Sequence, residues 1–283
     1  MNLNKNHKIL IVGLGLIGGS YALGLTNKGY EVGAITLNQE DIDYAVNNKI
    51  IAHGQCEVSK EYVNQFDVII FALYPKVLLD WINSYHTYFK KGAIITDVTG
   101  IKKEIVYKIQ DILTGVEFIG AHPMAGKEVY GVKNASATLF NKANYIITPT
   151  SKNTQKAIDL ATSIANELNF ANISILTPEK HDEMIAYLSQ LTHCIAITLM
   201  TCSENEHLKE YTGDSFKDLT RIANINENMW SELFLLNKEE LINQMDLFIN
   251  KFNILKKTIE EENVEEMKEI MKLSTKRRKY FDK

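Results

Sequence analysis

The sequence predicts an α/β chain, with a doubly wound parallel sheet over residues 1–177 followed by an all-α half over residues 178–283. Three observations carry this. Short apolar, β-branched runs alternate with helix-period segments as far as residue 177. A G-x-G-x-x-G turn joins the first such run to the first helix. Beyond Glu179 there is no proline and no glycine except Gly213, and long helical periods take over.

Residues 8–12 (KILIV) form the first short strand, and Gly13-Leu14-Gly15-Leu16-Ile17-Gly18 follows at once. Residues 21–25 continue as an apolar helical stretch. Strand, glycine turn and helix is the context in which this motif holds a dinucleotide. Gly13 permits the tight turn, Gly15 the approach of a pyrophosphate to backbone, and Gly18 close packing of helix on strand. Leu16 and Ile17 open the helix, whose free N–H groups and dipole favour an anion. Residues 29–35 read as the second strand. An acidic residue is expected at its end to hold the adenosine ribose hydroxyls. Thr36 stands there instead, and Glu40 and Asp41 open the next helix, residues 39–47. No arginine lies nearby to receive a 2′-phosphate, so NAD is favoured while NADP stays open.

Residues 67–73, ending in Leu73, are a near-continuous apolar run, as in a parallel strand buried on both faces. Tyr74-Pro75 ends it, and residues 76–89 are helical in period. Residues 93–96 form the next strand, leading into Asp97-Val98-Thr99-Gly100-Ile101-Lys102. Residues 116–119 form another, just before His122. In such sheets the ligand crevice lies at the carboxyl ends of the strands. The glycine turn, Tyr74-Pro75, Asp97 to Lys102 and His122 should therefore converge, with Leu73 beside the cofactor. His122 sits on a turn bounded by Pro123 and Gly126, and no other side chain there can take a proton near neutral pH without large tuning. Residues 145–149 and 173–176 are two further strands around a helix at 153–168, and Thr177-Pro178 marks the boundary.

In the helical half, residues 181–203 carry Met184, Ile185, Leu188, Leu191, Ile195 and Leu199 at helical spacing. This helix is too apolar for a surface position and is expected to be central and buried. Residues 241–254 and 264–273 continue the bundle, whose excess apolar surface points to a homodimer. Two polar clusters interrupt the pattern. His181-Asp182 lies on the central helix with Gln190 and His193, the latter two on one helical face. The second is residues 216–223, FKDLTRIA, with Asp218 and Arg221 three apart. Taken alone, these are a core histidine and an intrahelical ion pair.

The formal net charge of −4 gives no reason to expect a nucleic-acid or membrane partner. No apolar run approaches the roughly 20 residues of a membrane span, and residues 1–8 lack the features of a signal peptide. Cys56, Cys194 and Cys202 show no paired spacing, which reads as reduced and cytoplasmic. No metal-ligand set is expected.

The chain resembles the prephenate and arogenate dehydrogenases of tyrosine biosynthesis over nearly its whole length. The segments that carry the resemblance are GLGLIGGS (13–20), DVTGIK (97–102), AHPMAGKEVYG (121–131), HDEMIAYLSQLTH (181–193), FKDLTRIA (216–223) and NMW (228–230). The resemblance implies a Rossmann-type domain carrying NAD(P), and a helical domain that dimerises and closes over prephenate or arogenate. It implies that His122 accepts the C4 hydroxyl proton of the substrate as hydride leaves C4, with CO2 lost from the ring. It makes Arg221 the clamp on a substrate carboxylate, a task that suits its planar fork. Asp218 would orient Arg221 or bridge to the other subunit. His193 would face the substrate, Glu128 would lie at the cleft mouth, and Trp230 would pack near the substrate. Neither a fused chorismate mutase nor a regulatory ACT domain is expected.

Two positions depart from the family pattern. The serine that usually helps hold the catalytic histidine is Gly100, with Thr99 next to it as a possible source of a hydroxyl. The first histidine of the family's S-H-L-P-H segment is Gln190, which keeps hydrogen bonding without a titratable charge. Three other readings compete with prephenate dehydrogenase. Arogenate dehydrogenase uses the same chemistry. A β-hydroxyacid dehydrogenase would need a lysine on the central helix, and none stands between Glu183 and Glu206. A non-catalytic dinucleotide sensor would need neither His122 nor Arg221.

Overall fold

The computed structural model describes residues 2–127 and 129–282. Strands and helices alternate in the first half. In order they are β1 (Lys8–Val12), α1 (Leu16–Asn27), β2 (Glu31–Ile35), α2 (Gln39–Asn47), β3 (His53–Gln55), α3 (Lys60–Val63), β4 (Val68–Phe71) and α4 (Pro75–Tyr85). Then come β5 (Ile94–Asp97), α5 (Lys103–Ile112), β6 (Glu117–Met124), β7 (Asn144–Thr148), α6 (Gln155–Glu167) and β8 (Asn172–Ile175). Among the described residues these eight strands make one sheet in the order β3-β2-β1-β4-β5-β6-β7-β8.

Alternation along each strand splits the core into two layers. Ile9 and Ile11 of β1 and Val68 and Ile70 of β4 face the layer that contains Tyr21, Leu25 and Leu160. Leu10, Val12, Ile69 and Phe71 face the other, with Leu78, Ile82, Ile105 and Ile109. Burial on both faces explains why these strands are apolar throughout rather than alternating.

The structure departs from the sequence expectations in four places. β3 and α3 were not expected; both are too short for periodicity to reveal. β6 does not stop before His122 but runs to Met124, so His122 lies within a strand, opposite Ile146. The sheet is also not wholly parallel, because β7 pairs with β6 antiparallel. That partner carries the strand through Pro123, which local sequence reads as a breaker.

The fourth departure is the central helix of the second half. It begins as α7 (Pro178–Ile185), passes through a π-helical turn (Ala186–Gln190) and continues as α8 (Leu191–Thr201). Of α8, Leu191 and Ala196 are buried, whereas Leu188 in the π turn and Met200 are about half exposed. The helix is therefore not enclosed within this chain. By length and composition alone it could cross a membrane, yet His181, Asp182 and Gln190 are its buried polar side chains. They tie it to the sheet half and to the rest of the helical half, as the core helix of a folded domain would be tied.

The remaining helices are α9 (Leu208–Tyr211), α10 (Asp214–Thr220), α11 (Glu227–Leu236), α12 (Lys238–Glu260) and α13 (Val264–Arg278). Asn226 caps α11 by accepting from Met229 N at 2.9 Å, and Asn263 caps α13 by accepting from Glu266 N at 3.2 Å. A small apolar seam of Ile101, Ile185 and Leu233, with Met124, Met229 and Trp230 against it, joins the two halves.

The turn between β1 and α1 shows why its glycines are required. Gly13 has φ +98°, and a Cβ there would stand 2.5 Å from the Ala72 carbonyl oxygen. A Cβ on Gly18 would stand 1.9 Å from the Gly13 carbonyl oxygen. A Cβ on Gly15 would meet nothing within 4 Å. Gly18→Ala should therefore destabilise the fold by about 3 kcal/mol or more. Gly15→Ala should stay within about 1 kcal/mol of the native protein. Urea unfolding midpoints of the two variants check the contrast, which equal midpoints would contradict.

Candidate active site

One cavity of about 630 Å³ lies between the sheet half and the helical half. On the sheet side it is lined by Gly15, Leu16, Ile17 and Gly18, by Leu73 and Tyr74, by Thr99 and Gly100, and by His122. Ser189, Gln190, His193, Arg221, Trp230 and Leu233 line it from the helical side. The ends of β1, β4, β5 and β6 thus meet at one place, as the topology of a doubly wound sheet requires.

The glycine turn fits the pyrophosphate of a dinucleotide. Gly15 opens onto the cavity with clear space where its Cβ would be, and the start of α1 lines the same wall. Free N–H groups of a helix N-terminus face that space. Gly13 does not line the cavity; its part is the turn itself, with its N–H donating to Ile35 O at 2.8 Å. Thr36 also lies outside the lining, at the end of β2, where its N–H donates to Gln55 O.

The segment from Asp97 corrects two expectations. Asp97 was expected to touch the cofactor, but its side chain is wholly buried. One carboxylate oxygen accepts from Ala121 N at 3.2 Å. The other accepts from Lys102 Nζ at 2.6 Å, from Thr99 N at 3.0 Å and from the Thr99 hydroxyl. Thr99 was expected to offer a hydroxyl to the catalytic histidine. That hydroxyl is instead held among Asp97, Ile101 O at 2.9 Å and Lys102 Nζ at 3.2 Å. Burial pulls the Lys102 ammonium below its ordinary pKa, while Asp97 opposes the shift. Two ions without water need such full hydrogen bonding to persist. Pairing the segment inward leaves Gly100 at the surface of the cavity. A Cβ there would meet Leu233 at 3.7 Å and His122 Cε1 at 3.9 Å, so a side chain has room.

His122 is half-buried, and its Nδ1 stands 2.8 Å from His181 Nε2. Burial, then the neighbouring His181, then the charge of Lys102 hold its pKa well below 6.5. The ring is therefore neutral near pH 7, as a proton acceptor must be. His181 is wholly buried and also shifted down, chiefly by burial. Its Nδ1 lies 2.7 Å from Asp182 Oδ1. Asp182 also accepts from Lys102 N at 2.8 Å and Lys103 N at 2.9 Å, the first amides of α5. The His181-Asp182 pair was visible in sequence as a polar break at the start of an apolar helix, but nothing local connected it to His122.

On the helical side His193 stacks on Trp230, with ring centroids 3.7 Å apart, and its Nδ1 bonds Ser189 O at 2.8 Å. The π turn supplies that carbonyl. Gln190 was expected to bind substrate. It borders the cavity, but its amide donates to Leu233 O at 2.9 Å and accepts from Asn237 Nδ2 at 2.8 Å. Asn237 Nδ2 also donates to Asp182 O at 2.9 Å. Gln190 is therefore a brace between helices, consistent with its near-complete burial. Arg221 lines the cavity at the end of α10. Asp218, one turn earlier, is exposed and outside the lining. Glu128 lies outside the described residues. Tyr74 lines the cavity, and Glu232 was not anticipated. Asn226 Nδ2 reaches Tyr74 OH at 3.5 Å, and Lys76 N donates to Glu232 Oε1 at 2.5 Å, both across the cleft.

Residues 21–174 match the family "Prephenate dehydrogenase, nucleotide-binding domain", and residues 177–273 match "Prephenate dehydrogenase, dimerization domain". The chain is 33% identical to the prephenate dehydrogenase of Lactococcus lactis subsp. cremoris over 249 residues, 85% of this chain and 68% of that protein. It is 30% identical to the Bacillus subtilis prephenate dehydrogenase over 275 residues, 94% of this chain and 74% of that one. Among solved structures it is similar to the prephenate dehydrogenase of A. aeolicus in complex with hydroxyphenyl propionate and NAD+. That match has a TM-score of 0.88 and 30% identity, covering 98% of this chain and 99% of the other. With both halves matched in sequence and the whole chain matched in structure, this protein belongs to the prephenate dehydrogenase family.

Proposed function

We propose that this chain is an NAD-dependent prephenate dehydrogenase, converting prephenate to 4-hydroxyphenylpyruvate and CO2. The observation that carries the reading is one cavity bounded by the glycine turn, the neutral His122 and Arg221. The A. aeolicus relative, described with NAD+ and hydroxyphenyl propionate, supports the same cofactor and ligand class.

Gly15, Leu16, Ile17 and Gly18 would hold the pyrophosphate, and Leu73 the adjoining wall. When bound, NAD+ supplies the acceptor for the hydride that leaves C4. His122 takes the hydroxyl proton from C4, so that a carbonyl forms there as the C–H bond breaks. The electrons of the breaking C1–carboxylate bond complete the aromatic ring, CO2 departs, and the C4 oxygen regains the proton from His122 to give the phenol. Arg221 grips a substrate carboxylate through its fork, while the His193–Trp230 stack forms the wall beside the ring. Thr99 and Asp97 act behind the site by holding Gly100 and β6 in place, and Gln190 by bracing the helices.

The protein works as a homodimer through the helical half, residues 178–283. The matching dimerization family supports this. So do apolar side chains left uncovered on α12 and α13, among them Leu247, Phe252, Ile259 and Met271. Cys56, Cys194 and Cys202 are free thiols, in keeping with a cytoplasmic enzyme.

Three measurements test the assignment. His122→Asn should lower turnover about 1,000-fold while NAD affinity by calorimetry stays within about twofold; near-native turnover would remove His122 as the base. Arg221→Ala should raise the KM for prephenate about tenfold or more with little change in kcat, and an unchanged KM would remove the clamp. The third is the pH dependence of kcat/KM. A histidine with a depressed pKa stays basic to lower pH than free imidazole. The charged groups around it are Lys102 and Asp97 behind the ring, Asp182 beyond His181 and Arg221 across the cavity. Burial pushes Asp182 up to about 6. Activity should hold from pH 8 down to about 6 and fall below that, whereas an acid limb above pH 7 would contradict the neutral buried ring. Rates with arogenate, and with NADP, measured beside prephenate and NAD identify the preferred pairing.

A further inference from the structure

The serine that would hold the catalytic histidine is replaced by Gly100, and the Thr99 hydroxyl is engaged elsewhere. What holds the His122 ring is a chain of three side chains. His122 Nδ1 lies 2.8 Å from His181 Nε2, and His181 Nδ1 lies 2.7 Å from Asp182 Oδ1. The carboxylate is itself fixed by the amides of Lys102 and Lys103.

Hydrogen-bond polarity along this chain is determined by its end. An ionised carboxylate can only accept, so the proton between Asp182 and His181 sits on His181 Nδ1. A neutral His181 then has a bare Nε2, which can only accept. The proton between the two imidazoles therefore sits on His122 Nδ1, and the in-plane lone pair of His122 is on Nε2. We propose that His181, oriented by Asp182, is a positioning residue that locks His122 as its Nδ1–H tautomer and reserves Nε2 to receive the substrate proton. The proposal rests on His122 being the base. In the reaction the C4 hydroxyl proton moves to Nε2. The positive charge that appears on His122 is shared through the Nδ1–H bond to His181, and no proton need reach Asp182. Lys102, paired with Asp97 behind the histidines, disfavours positive charge on both rings, and Asp97 opposes it at His181.

The same chain explains why a buried Asp182 stands near the start of the central helix. Its carboxylate reaches across to the N-terminus of α5, so closing the helical half onto the sheet half also aligns His181 with His122. Orientation of the base thus depends on the two halves being docked.

Two-bond 1H–15N correlation spectra of histidine-labelled protein without substrate test this directly, with His122 assigned by its loss in His122→Asn. The expected result is a protonated Nδ1 and a bare Nε2 on His122; the opposite tautomer overturns the proposal. In parallel, His181→Phe keeps the volume and removes the acceptor. It should lower kcat about 100-fold, change the KM for prephenate by less than about threefold and leave a mixed His122 tautomer. His181→Gln, whose Oε1 can accept from His122 Nδ1, should recover at least tenfold of the loss. Turnover of His181→Phe within twofold of native, or no recovery in His181→Gln, overturns it. Thermal melting and NAD calorimetry establish that the variants are folded, and the native tautomer decides the question even if they are not. If His122→Asn retains turnover, the base assignment fails, while the tautomer measurement still reports separately on the lock.

Discussion

The arrangement depends on the carboxylate of Asp182. It is buried, which raises its pKa, and it persists because three donors converge on it: two amides at the start of α5 and the ring of His181. A buried carboxylate with unmet lone pairs would be costly. Satisfying this one brings a helix of the second half to the amino end of a helix of the first. Asn237 holds the backbone carbonyl of the same residue and also holds Gln190. Docking of the halves, the course of the central helix and the orientation of the His122 ring are therefore settled together.

A second buried polar group, Asp97 with Lys102 and Thr99, does a comparable task within the sheet half. It turns three polar side chains inward at the carboxyl end of β5, the edge where a ligand must come. What remains at the surface is Gly100 and backbone. Around His122 the cavity is thus walled by glycine turns, apolar side chains and the His193–Trp230 stack. In such surroundings a neutral imidazole and a guanidinium act strongly, because little water competes with them.

The antiparallel β7 is what makes His122 a strand residue. A histidine on a free turn would sample many orientations. Within β6, flanked by Ala121 and Pro123 and paired through to Met124, its backbone is fixed and only the ring remains to be oriented. The central helix meets the ring from the other side, and its π turn presents the Ser189 carbonyl to His193. Positions that a regular helix would place differently are thereby brought to one wall.

Much of this was legible in the sequence. Apolar runs of strand length, helical periods and the G-x-G-x-x-G turn are local patterns, and they report the backbone states and burial that produced them. The α/β half, the helical half, the dinucleotide turn and the place of His122 beside the cleft follow from such patterns. Resemblance in the HPMAG and FKDLTRIA segments added the substrate side. Tertiary structure decided the direction of side chains whose partners are remote in sequence. Asp97 and Gln190 read as ligands to cofactor and substrate and Thr99 as a hydroxyl for the histidine, and they prove to be committed to Lys102, Leu233, Asn237 and Ile101. His181 and Asp182 read as a polar interruption and prove to reach His122, 59 positions away for His181. A hydrogen bond depends on where two atoms lie after the chain has packed, and local periodicity carries no record of that distance.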